Sequence, residues 1–92
     1  MWHPITNVYS PPTYNHSCYV FALYDHEIQN IGKIIGKEGM HFKNITHLSG
    51  SSYIWFNQYT NYIEIWIPNP HHIDQVYIVF NMLICHIDKI FN

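Results

Sequence analysis

Residues 36–39, Gly36-Lys37-Glu38-Gly39, carry the most suggestive spacing in this 92-residue chain. Two glycines three apart let a backbone turn tightly and approach a ligand closely, because neither has a β-carbon. Lys37 sets a mobile cation between them. Apolar residues flank the turn at helical spacing, with Ile28, Ile31, Ile34 and Ile35 before it and Phe42 and Ile45 after it. A glycine-bounded turn that feeds a helix N-terminus suits an anion. Free N–H groups and the positive end of the helix dipole converge there. The stretch is too short for a P-loop, which needs G-x-x-x-x-G-K-[ST].

Charge is focused on the same stretch. The chain has four basic residues, all Lys, and no Arg. Lys33, Lys37 and Lys43 fall within residues 31–47, against Glu38 alone. Elsewhere Lys89 stands against Asp25, Glu27, Glu64, Asp74 and Asp88. Formal net charge is -2, so the bulk basic footprint of a typical nucleic-acid binder is missing. Eight His residues would add positive charge in mild acid.

Other chemistry is thin. No nucleophile–base pair or paired carboxylates stand out, so an enzyme is not expected. His41, His47, His71-His72 and Cys85-His86 lack zinc-site spacing, and neither metal nor cofactor is expected. Cys18 and Cys85 are too few and too far apart for a disulfide framework. With no signal peptide and no run of 18 apolar residues, the expectation is an intracellular protein with reduced thiols, free of the membrane. Abundant Ile, Asn and Tyr beside a single Ala suggest an A/T-rich genome such as that of a large DNA virus.

The elements that must position the turn follow from pattern. Residues 1–16 hold Pro4, Ser10, Pro11, Pro12 and Asn15 among Trp2, Tyr9 and Tyr14. They read as an irregular arm before a domain over 17–92. Cys18 to Tyr24 is predicted as a strand. Ile28 to Ile35 is predicted as a short helix capped by Asp25 or His26, broken by residues 36–39 and resumed over Met40 to Ser49. Phe42, Ile45 and Leu48 or Ser49 then face inward, and Gly50 ends the helix. Tyr53 to Phe56 and Tyr62 to Ile67 are strands about a polar turn. Asn69 and Pro70 read as the N-cap and first residue of a final helix. Its inner face reads as Ile73, Val76, Tyr77, Phe80, Leu83, Ile84, Ile87 and Phe91, with Ile78, Val79 and Met82 off it. The order is β-α-α-β-β-α. That implies an α+β fold, a three-stranded antiparallel sheet with three helices on one face.

The run Ile31-Gly32-Lys33-Ile34-Ile35-Gly36-Lys37-Glu38-Gly39-Met40-His41-Phe42-Lys43-Asn44-Ile45, followed by Ser49-Gly50, resembles the core motif of K homology (KH) domains of the eukaryotic type I arrangement. The resemblance spans about residues 17 to 91. It implies a single-stranded RNA or DNA ligand of about four nucleotides, clamped by the G-x-x-G turn. Gly32 belongs to the motif, and Gly36, Lys37, Glu38 and Gly39 would form the clamp. Lys33 and Lys43 would flank the strand's path. Ile35, Phe42 and Tyr53 or Trp55 would form the base platform, the aromatic rings stacking on bases.

The motif departs from the family in having Glu38 in the turn, no Arg, and Pro68-Asn69-Pro70 after the last strand. Three Lys contacts make one copy a weak binder, which favours a homodimer or a larger complex. The alternative is a KH-fold scaffold or adaptor that binds protein through an apolar sheet face or its last helix. Both faces of residues 52–56 and 63–67 are nearly all apolar. The outer set of side chains needs cover, either from the N-terminal arm or from a partner.

Overall fold

A computed structural model describes residues 14–92. It is α+β. Strands β1 (His16–Ala22), β2 (Tyr53–Asn57) and β3 (Tyr62–Pro68) form one antiparallel sheet in the order β1-β3-β2. Helices α1 (Asp25–Gln29), α2 (Ile31–Ile35), α3 (Met40–Ser49) and α4 (Ile73–Phe91) complete it, with a 3-10 turn at Lys37–Gly39 between α2 and α3. No helix among the described residues is long and apolar enough to cross a membrane.

The expected first helix comes as two short pieces. Tyr24, not Asp25 or His26, caps α1, with its N–H donating to the Glu27 carboxylate at 2.8 Å. The helix breaks at Asn30 (φ -115, ψ 27), whose side-chain amide donates to the His26 carbonyl at 2.8 Å. Asn competes for backbone groups in this way, which is why it ends helices. The predicted first strand also shifts, since Leu23 and Tyr24 lie beyond it and His16 begins it.

The sheet's inner face is fixed by β3. Ile63, Ile65 and Ile67 are fully buried against the helices, while Glu64 and Trp66 alternate to the outer face. The register pairs Glu64 with Val20 and with Trp55, and Trp66 with Cys18 and with Tyr53. The inner face of β2 is therefore Ile54 and Phe56. On the outer face both Glu64 carboxylate oxygens are bonded, one by the Trp55 indole N–H and one by the Asn57 amide at 3.1 Å.

The last helix departs from expectation at its start and in its phase. It starts at Ile73, capped by His72, not at Pro70. Asn69 is held elsewhere. Its N–H donates to the Asn15 carbonyl at 2.7 Å, and its side chain accepts from the Ser17 hydroxyl at 3.0 Å. The buried stripe is Val76, Val79, Leu83 and Ile87. Val79, expected off the inner face, is fully buried, whereas Ile73, Tyr77 and Ile84 are exposed. A helix that is apolar nearly all round leaves its phase open in the sequence.

Between α3 and α4, the Gln75 amide donates to the Ser49 and Gly50 carbonyls at 3.3 and 3.0 Å. It satisfies carbonyls that a helix C-terminus leaves unpaired. Gly50 sits there at φ 73, as expected of the residue that ends a helix. Ser49 is buried and Leu48 exposed, which resolves the alternative left open for α3.

Candidate nucleic-acid interface

The turn between α2 and α3 is bent by three positive φ values, at Gly36 (82), Glu38 (57) and Gly39 (74). Gly36 combines φ 82 with ψ 164, a region that only glycine occupies readily. The Gly36 N–H closes α2 on the Gly32 carbonyl at 2.9 Å, and the Gly39 N–H returns to the Gly36 carbonyl at 3.0 Å. The N–H groups of Lys37 and Glu38 lie between the two glycines, just ahead of α3. Such donors at a glycine-bounded bend are what an anionic oxygen would meet.

Below the turn, two imidazoles brace it. The His41 ring lies 4.6 Å from the His86 ring, centroid to centroid. The His86 Nε2–H donates to the Ile34 carbonyl at 2.8 Å, joining α4 to the last turn of α2. Neither histidine was marked for this by the sequence, because the pairing joins positions 45 residues apart.

Beside the turn runs an open groove of about 240 Å³. Its apolar wall is Ile35, Phe42, Ile54 and Phe56, and its polar groups come from Glu38 and Lys43. Gly39 and Trp55 complete it. Phe42 is 4% exposed, so it offers an edge of its ring and otherwise belongs to the core. Helix α2, the turn, α3 and β2 thus converge on one concave strip.

The sequence expectations meet this strip unevenly. Ile35, Glu38, Gly39, Phe42, Lys43 and Trp55 line it. Gly36 and Lys37 belong to the turn above it, and Gly32 and Lys33 are exposed on α2 outside the lining. Tyr53 does not take part. It is fully buried on the outer face, its ring 6.0 Å from that of Trp55, so it cannot stack on a base in the groove. The Trp55 side chain is also directed to the outer face, where Glu64 holds its indole. The inward residues are Ile54 and Phe56, one step out of phase with the expected pair. A slip of one residue exchanges the faces of a strand.

The expectation that the arm covers the outer sheet face concerns Trp2 and Tyr9, which lie outside the described residues. Tyr14 is 83% exposed. Trp66 keeps a buried indole N–H that meets no acceptor among the described residues. Among the same residues, no group of three or more His, Cys, Asp or Glu could hold a metal ion.

Compared with family models, with curated proteins and with solved structures, the chain finds no match.

Proposed function

We infer that this chain binds single-stranded RNA or DNA, as a KH-type module, in the groove beside Gly36–Gly39. The observation that carries the reading is the joining of two features. A positive-φ turn carrying Lys37 adjoins an apolar groove whose lining includes Lys43. The first suits phosphate, and the second suits the faces of unstacked bases. The element order, the sheet order and the KH-like motif of residues 31–45 support the same reading. At most three Lys contacts give a log-log salt slope no steeper than about -2, so a single copy binds weakly and gains from a homodimer or a larger complex.

The test is fluorescence anisotropy with randomised short RNA and its DNA equivalent, comparing wild type with the Lys37→Asp/Glu38→Asp variant. Circular dichroism checks that the variant folds. The reading expects binding that the folded variant loses by tenfold or more. Equal binding by both proteins, or none by wild type at low salt, sinks it.

A second reading is favoured by one observation. Tyr77, Ile78 and Ile84 on α4 are 62%, 52% and 46% exposed. An exposed apolar strip of this kind suits a protein-binding scaffold. Tyr77→Asp with Ile84→Asp would then abolish self-association, read by light scattering, and leave the turn variant associating normally.

A further inference from the structure

The two variable residues of the turn are divided between its two sides. Glu38 lines the groove, and Lys37 does not. Glu38 is also the one residue of this turn that holds a left-handed backbone without being glycine (φ 57, ψ 26). Such a conformation carries strain that tends to persist where a side chain must be aimed. A carboxylate repels phosphate, so the sugar-phosphate chain cannot run against Glu38. What can approach a carboxylate at the side of an apolar groove is a hydrogen-bond donor on an otherwise flat, apolar partner.

Resting on the nucleic-acid reading above, we propose that Glu38 selects the base in this groove by accepting a hydrogen bond from an exocyclic amino group. Adenine N6, cytosine N4 and guanine N2 are such groups, and a carboxylate is an acceptor suited to them. Uracil offers a carbonyl at the equivalent position and meets the carboxylate with like partial charge. The strand then lies with phosphate toward the Lys37 side of the turn and the base edge toward Glu38. Ile35, Ile54 and Phe56 contact the base elsewhere, and they discriminate little because every base has an apolar face. An anionic side chain in an anion-binding turn thereby becomes a selector.

The experiment uses labelled six-nucleotide oligomers that differ in this group alone, adenosine against purine riboside, which lacks only the 6-amino group. Binding of both is measured by anisotropy on wild type and on Glu38→Gly. Glycine suits the left-handed backbone, so the turn keeps its shape. Wild type is expected to bind the adenosine oligomer about tenfold or more tighter. Glu38→Gly is expected to bind both oligomers alike, with the purine oligomer gaining affinity as the repulsion disappears. If wild type binds the two oligomers equally, or Glu38→Gly keeps the preference, the selector role is wrong while the groove reading stands. If wild type binds neither oligomer nor a randomised one, both fall.

Discussion

Gly36 and His41 are in such close contact that a β-carbon on Gly36 would lie 2.5 Å from His41 Cδ2. The same imidazole is in contact with the His86 ring, 4.6 Å from it centroid to centroid, and the His41 backbone N would lie 3.0 Å from the added carbon. Gly36 also holds φ 82. Two separate costs therefore oppose any side chain here, one steric and one conformational. Gly36→Ala is expected to destabilise the fold by about 1–3 kcal/mol, measured by urea denaturation. Adding His41→Ala should recover only the part of the cost due to the ring, so the double variant remains less stable than His41→Ala alone. If the double variant matched His41→Ala, the backbone conformation would contribute nothing.

Gly32 gives the opposite expectation. It lies inside α2, and a β-carbon there would meet nothing within 4 Å. Glycine in a helix costs about 0.5–1 kcal/mol relative to alanine. Gly32→Ala should therefore stabilise the protein by about that much, seen as a higher thermal midpoint. A lower midpoint would mean that space beside Gly32 is needed by something the groove geometry does not include.

The phase of α4 can be checked by a neighbouring pair. Leu83 is fully buried and Ile84 is 46% exposed. Leu83→Ala is expected to cost about 2–5 kcal/mol, the range for a buried leucine whose cavity relaxes only partly. Ile84→Ala should stay within about 1 kcal/mol, near the surface range. Equal losses in denaturant midpoint would contradict the stripe of Val76, Val79, Leu83 and Ile87.

These contrasts mark where the sequence was legible. Glycine and its neighbours announced the turn, because positive φ and close approach have few chemical solutions. The α3 helix and the two later strands emerged within a residue of their predicted bounds, since their patterns and terminators agree. What stayed hidden was phase. β3 carries Glu64 between isoleucines, and that charge marks its outer face. β2 has no charged residue, so Tyr53 could be placed in the groove when it is buried on the outer face, and Ile54 and Phe56, which line the groove beside Trp55, went unmarked. The same lack of polar markers hid Val79. The His41–His86 brace was invisible because it exists only once α3 and α4 have packed.

Cys18 provides a test of the outer sheet face. Its thiol pKa is raised above the ordinary value, first by burial and second by the negative charge of Glu64. A higher pKa leaves less thiolate at a given pH, and the thiolate is the nucleophile. In a Cys85→Ser background at pH 8, alkylation of Cys18 by iodoacetamide should run slower than that of an unfolded control. Its rate should keep rising at a pH where the control has levelled off. Glu64→Gln removes the second cause and leaves burial in place. The Cys18 rate should then increase without reaching that of the control. No change on Glu64→Gln would place the carboxylate too far from Cys18 to act, against the register that sets Val20 opposite Glu64 and Cys18 opposite Trp66.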